Sequence, residues 1–169
     1  MKKYTELQIK NNCFEGLKYY QPTCYHDFRG YYWTVYNNKQ DNEVYNHDKI
    51  TVSRKNTLRG IHGDAVTTKL ITCVYGEVYC VVVDNRIDSE TYQQWRWIML
   101  SHTNRNIVVL PPNVGLGYLV MSKNASMLYK WSYEGKYPDT SDQFTIKWNS
   151  LDLNIDWPIS NPILSKRDK

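Results

Sequence analysis

The sequence predicts an all-β fold, a β-sandwich or jelly roll rolled around a ligand-sized interior. Three observations carry that expectation. Short runs rich in Val, Ile, Tyr and Trp recur through the middle of the chain. Turn signals separate them about every ten residues, as in sandwiches and barrels. The amphipathic stretches of ~10–12 residues that a parallel α/β fold places between its strands are missing. A length of 169 residues suits a single domain, 1–169, and no repeat, low-complexity segment or linker divides it.

Taken in chain order, a short peripheral helix is expected near 10–20. KLITCV (69–74), the turn Tyr75-Gly76 and EVYCVVVD (77–84) read as a hairpin. WRWIML (95–100), NIVVL (106–110), GYLVM (117–121) and SMLYKWSY (126–133) follow as strands, separated by SHTNR, PPNVGL and SKNA. QFTIKW (143–148) is one more strand. The final LDLNIDWPISNPILSKRDK carries two prolines and is expected to wrap the surface. Strand alternation groups Val78, Cys80, Val82 and Asp84 on one face, and Met127, Tyr129 and Trp131 on another, with Leu128 and Lys130 opposite. Two such faces can line one barrel interior.

Composition narrows the function classes. Hydrophobic residues make up 41% and charged residues 22%, which supports a core and excludes global disorder. Fifteen Tyr and six Trp suit a wide cleft as well as a core, because each has an apolar body and a polar tip. A net charge of +4, with no run of Lys and Arg longer than two residues, is too weak and scattered for nucleic acid but suits a small anionic ligand. The start, MKKYTELQIK, has no apolar signal core, and no stretch approaches ~20 apolar residues, so a soluble cytoplasmic protein without membrane contact is expected. Cys13, Cys24, Cys73 and Cys80 form no CxxC pair; Cys73 and Cys80 lie in apolar runs and read as small hydrophobes.

The chemistry centres on LRGIHGD (58–64). A metal site needs three or four converging His, Glu or Asp ligands. His62 has no second histidine two positions on, because residue 64 is Asp, and PPNVGLG (111–117) holds none. His26, His47 and His102 lie in loop-like stretches. No metal is therefore expected, which leaves His62 either as a satisfied structural histidine or as a metal-free acid/base. Its neighbours favour the second reading: Arg59 offers a bidentate phosphate fork and Lys69 a point charge. Strict alternation, however, sends Arg59 and His62 to opposite faces. A bulge at Gly60 brings both inward. No nucleophile elbow, P-loop or GxGxxG is present.

HDFRG (26–30), TLRGIHGD (57–64), KL (69–70), GEVYCVVVDNR (76–86), LPP (110–112), LYK (128–130), IKWN (146–149), IDWP (155–158) and LSKRD (164–168) occur in that order. The ordered set resembles the dTDP-4-dehydrorhamnose 3,5-epimerase family of the cupin superfamily over roughly residues 26–168. The resemblance implies a cupin-type jelly-roll homodimer that needs no cofactor. It binds a nucleotide-diphosphate sugar with a C4 ketone and inverts C3 and C5. It implies His62 as base, Asp168 as its carboxylate partner, Tyr129 as the opposing acid and Lys69 beside the developing enolate. Arg29 and Arg59 would hold the diphosphate, with His47, Asp48 and Arg167 completing the substrate contacts.

The chain also departs from the family pattern. Thr34 stands where that pattern has glutamate, His47-Asp48-Lys49 replaces Gln-Asp-Asn, Leu116 replaces a histidine and Gln143 a glutamate. With RGIHGD and NPILSKRD, these changes resemble the branch acting on GDP-4-keto-heptoses for capsules. The alternatives are a dTDP-4-keto-6-deoxyglucose 3,5-epimerase, an enzyme restricted to C3, a cupin 3,4-ketoisomerase, and a non-catalytic cupin that binds sugar nucleotides. Gly63-Asp64 speaks against the ketoisomerase, which shows a second histidine there. The joint presence of His62, Tyr129 and Asp168 speaks against the pure binder.

Overall fold

The computed structural model describes residues 4–6, 14–39 and 43–169. In chain order the strands are β1 (Tyr4–Glu6), β2 (Lys18–Pro22), β3 (Cys24–Asp27), β4 (Gly30–Trp33), β5 (His47–Arg54), β6 (Leu58–Gly63), β7 (Thr68–Tyr75), β8 (Glu77–Asp84), β9 (Trp95–Ser101), β10 (Ile107–Leu110), β11 (Val114–Val120), β12 (Asn124–Ser132) and β13 (Phe144–Thr145). They form a six-stranded sheet in the order β1-β2-β10-β7-β12-β5, a five-stranded sheet in the order β13-β6-β11-β8-β9, and a separate β3–β4 hairpin. Every strand pairing in these sheets is antiparallel. The nearly all-β jelly roll expected from the turn spacing is thus the observed architecture.

The two large sheets close on a core that takes Ile71, Cys73, Met127, Tyr129 and Trp131 from one and Val78, Cys80, Val82, Leu116 and Tyr118 from the other. Met127, Tyr129 and Trp131 share the inner face, as the alternation of SMLYKWSY requires. Cys73 and Cys80 are buried there as small apolar side chains, and burial pushes the Cys73 thiol up to about 11.

EVYCVVVD does not have one wet face. Tyr79, Val81 and Val83 are also buried, in a second cluster on the outer side of the five-stranded sheet, with Leu58, Ile61, Leu119 and Trp157. The C-terminal segment is the cover, so it does wrap the surface. Its Trp157 is 8% exposed, and its indole N–H donates to the Trp148 carbonyl at 2.8 Å. Losing such a side chain to alanine costs ~3–5 kcal/mol. Ile163 bonds back to Leu58 and Asn56, so the tail is held along β6.

Three expectations need correction. Tyr75-Gly76 is a turn, with Gly76 at φ 76°, but β7 and β8 do not pair as a hairpin. Each carries an inner apolar face, and the turn passes the chain from one sheet to the other. The helix near 10–20 does not form over its described part: Glu15-Gly16 is a turn and Lys18–Pro22 a strand, while residues 10–13 lie outside the described residues. The helical element among the described residues is a single 3-10 turn, Thr140–Asp142. QFTIKW contributes only Phe144–Thr145 as strand; Ile146 still exchanges backbone bonds with Ile61, and the chain turns at 148–149.

Candidate active site

The site begins with an irregularity in β6. Leu116 on β11 lies opposite His62, and Tyr118 lies opposite Arg59, with the register shifting between them. Residues directly opposite across an antiparallel pair point to the same face. Leu116 and Tyr118 belong to the inner core, so His62 and Arg59 both face inward. Ile61, between them, packs in the outer cluster. Gly60 is the extra residue. It has φ 105°, and a Cβ there would run into the carbonyl of Leu116 and the Cα of Gly117. The bulge foreseen at Gly60 is therefore what turns His62 inward.

His62 Nε2 lies 2.7 Å from Asp168 Oδ1, and the two side chains are 24% and 3% exposed. The tail that covers β6 delivers this carboxylate. Asp168 also accepts from the Ser165 hydroxyl at 2.7 Å. Burial alone would raise its pKa; the hydrogen bonds from His62 and Ser165 outweigh burial and hold it below the ordinary 3.8. With Nε2–H committed to Asp168, the free lone pair of a neutral imidazole is on Nδ1.

Lys69, at the start of β7, is 5% exposed. Its ammonium lies 2.8 Å from Asp64 Oδ2, and 5.4 Å from the centre of the Trp131 ring. Burial pushes its pKa down, and Asp64 opposes that. Asp64 is fixed in turn by the backbone N–H groups of Val66 and Thr67, at 3.1 and 2.7 Å. The ion pair was not legible in LRGIHGD, although an acid placed before a turn that leads into a lysine was its available signal.

The facing wall is β12 and β5. Tyr129 pairs with Lys49 and Ile71, and Trp131 with His47 and Lys69, so these side chains share the inner face. Tyr129 is buried; desolvation raises its phenol well above 10, and its hydroxyl bonds to those of Tyr118 and Thr51. Thr51 and Tyr118 are themselves 2.8 Å apart. Toward the rim, Trp131 stacks on Tyr137 at 5.5 Å, and the Lys49 ammonium sits 4.2 Å from the Trp131 ring and donates to the Tyr137 hydroxyl at 2.6 Å. His47 packs against Trp131 and Tyr137. Trp131 and Tyr137 were not foreseen as site residues. A cavity of about 670 Å³ lies by the adjoining ends of β7 and β12, beside Val66, Thr68, Ser132 and Tyr133; His62, Lys69, Tyr129 and Trp131 do not line it.

The remaining expected contacts divide. Arg59 is directed inward and donates to the Ser53 hydroxyl at 2.9 Å. Arg167 donates to Thr145 at 2.9 Å and Gln143 at 3.1 Å, one residue from Asp168. Asp48 is not brought to the interior. Alternation turns it outward from His47, and it pairs with Lys130 on the outer face at 2.6 Å. Arg29 is not brought there either. It caps the β3–β4 hairpin, 74% exposed, and pairs with Asp27 at 2.6 Å. Among the described residues no three His, Cys, Asp or Glu side chains stand close enough to hold a metal ion, and no helix is long and apolar enough to cross a membrane.

A family model described as dTDP-4-dehydrorhamnose 3,5-epimerase matches residues 11–169. The fold and site define the class: an isomerase built on a cupin-type jelly roll. The chain is 34% identical over 158 residues to the dTDP-4-dehydrorhamnose 3,5-epimerase of Salmonella typhimurium, covering 88% of this chain and 85% of that one. It is 37% identical over 123 residues to a dTDP-4-dehydrorhamnose 3-epimerase of Streptomyces niveus, covering 71% and 58%. The crystal structure of the Bacillus anthracis dTDP-4-dehydrorhamnose 3,5-epimerase with TDP and pyrophosphate superposes with a TM-score of 0.88 at 30% identity, covering 97% of each chain. The chain belongs to the dTDP-4-dehydrorhamnose 3,5-epimerase family.

Proposed function

We propose that this chain inverts C3, or C3 and C5, of a dTDP-linked 4-keto-6-deoxy sugar by proton transfer next to the C4 ketone, without a cofactor. The observation that carries the reading is the His62–Asp168 pair on one sheet of the barrel facing a buried tyrosine, Tyr129, on the other. A proton next to a ketone is acidic because its loss gives an enolate. His62 takes that proton on Nδ1, and the C–H electron pair becomes the enolate, whose charge collects on O4. Asp168 holds the imidazole and stabilises the imidazolium. The Lys69 ammonium faces O4, a kind of stabilisation worth about 3–4 kcal/mol. Tyr129 then protonates the same carbon from the opposite face. Its raised pKa keeps it protonated until the enolate forms. The imidazolium and tyrosinate return to their starting states by proton exchange with solvent.

The thymidine nucleotide is preferred because the relatives are named for dTDP sugars. The GDP-4-keto-heptose reading for capsule synthesis draws nothing from them. It keeps one observation of its own: His47 and Lys49, two departures from the family pattern, sit in the aromatic rim beside Trp131. We further infer a homodimer. Strand β5 is a sheet edge with Ile50 and Val52 exposed at 65% and 69%, and the projecting hairpin exposes Phe28 and Tyr32 at 99% and 63%. A second copy covering these surfaces would also give Arg29 a site to serve.

The test is incubation with dTDP- and GDP-linked 4-keto sugars in heavy water, followed by NMR. Deuterium at C3, with or without C5, on the dTDP sugar is the expected result. Incorporation on the GDP sugar alone overturns the thymidine assignment; none on either overturns the epimerase reading.

A further inference from the structure

We propose that Asp64 is a positioning residue for the reaction: it pins Lys69 inside the barrel and keeps its ammonium charged for the developing enolate oxygen. The inference rests on the epimerase reading above and adds to it a residue that touches neither base nor acid. Asp64 and Lys69 are 2.8 Å apart with side chains only 1% and 7% exposed. A lone ammonium taken out of water loses its proton rather than remain charged. The charged groups that face Lys69 are Asp64, Lys49 and Arg167, and the two cations oppose its charge. Asp64 is the one anion among them. Nearby lie the Trp131 ring and, through Trp131, the rim that holds Lys49.

Asp64 also organises a turn, accepting from Val66 and Thr67 through Oδ1 while its carbonyl accepts from the N–H of Asn113 at 2.8 Å. A structural role and an electrostatic one are therefore both built into it, and they fall on different oxygens. Oδ1 serves the turn and Oδ2 serves Lys69. Asp64→Asn separates the two roles, because the amide carbonyl can still accept from both backbone groups while the charge is lost.

The experiment uses the full chain labelled with [ε-¹³C]lysine, with the Lys69 signal assigned by its loss in Lys69→Arg. Its titration is followed in the wild type and in Asp64→Asn. In parallel, deuterium exchange at C3 of dTDP-4-keto-6-deoxyglucose is measured against pH. In Asp64→Asn the Lys69 midpoint should fall by about 1–3 pH units, the usual effect of removing a close opposite charge. The alkaline limb of the exchange profile should move down with it. An unchanged Lys69 midpoint overturns the proposal. A lowered midpoint with an unmoved alkaline limb also overturns it, because the charge would then have no part in the reaction. If the wild type exchanges no deuterium while Lys69 still responds to Asp64→Asn, the failure lies in the epimerase reading, and the proposed role in the reaction falls with it.

Discussion

Asp168→Asn is the sharpest probe of how the tail serves the base. The replacement is nearly isosteric in a position 3% exposed, so packing around residues 163–168 is kept. The amide oxygen can still accept from Nε2–H of His62, which preserves the tautomer. What is lost is the negative charge 2.7 Å from the ring at the moment the imidazolium forms. A hydrogen bond to a charged group contributes about 1.5–3 kcal/mol. At about 1.36 kcal/mol per factor of ten, this corresponds to a loss of roughly 10–150-fold in the rate of C3 deuterium exchange. His62→Ala, which removes the base, should cost ~10²–10⁴-fold. The assay is the initial rate of deuterium incorporation in heavy water at saturating keto sugar, for both variants and wild type. Exchange by Asp168→Asn at the wild-type rate would refute the coupling of tail to base. A loss as large as that of His62→Ala would show that the carboxylate does more than stabilise the imidazolium.

Three further outcomes are expected. Tyr129→Phe keeps the base but removes the opposing acid, so deuterium exchange on the original face should persist while inversion slows; inversion at the wild-type rate would assign the acid to another group. Dialysis against a strong chelator should leave turnover unchanged, and an activity loss restored by zinc, iron or manganese would contradict the metal-free chemistry. Asp64, Asp84 and Asp168 all titrate below the ordinary 3.8 in the folded chain, because hydrogen bonds and cations outweigh burial. Each lowered carboxyl adds stability that is present above its unfolded pKa and lost as pH falls through its folded one. The thermal midpoint should therefore decline below about pH 4, and less steeply in Asp84→Asn; a midpoint flat down to about pH 2 would refute this.

The strands were legible where apolar runs dominated. β8 has the span of EVYCVVVD, and the inner face of SMLYKWSY is the inner face of β12. β5 escaped because HDKITVSR puts polar side chains on both faces: Lys49, Thr51 and Ser53 point inward while Asp48 and Arg54 lie on the outer face. The same alternation explains why His47 and Asp48 do not act side by side. Pairings that depend on closure of the barrel were out of reach: Tyr129 with Tyr118, and the tail over the outer face of β8, each join segments whose proximity no local pattern encodes. The passage of β7 and β8 into different sheets was hidden for the same reason, since a glycine turn looks alike whether it joins neighbours or crosses a barrel.

The bulge at Gly60 has a consequence in the language of genes. Substitutions elsewhere change one side chain at a time, but one further codon in this strand, with no second bulge to absorb it, would change which face every later residue of β6 presents. With a residue inserted between Gly60 and Ile61, Ile61 would take an inner position and His62 an outer one, away from the interior that Tyr129 lines. A three-nucleotide insertion would thus leave every residue of the acid–base chemistry encoded and still dissolve the site. In this barrel the base depends on a reading of length as much as on a reading of letters.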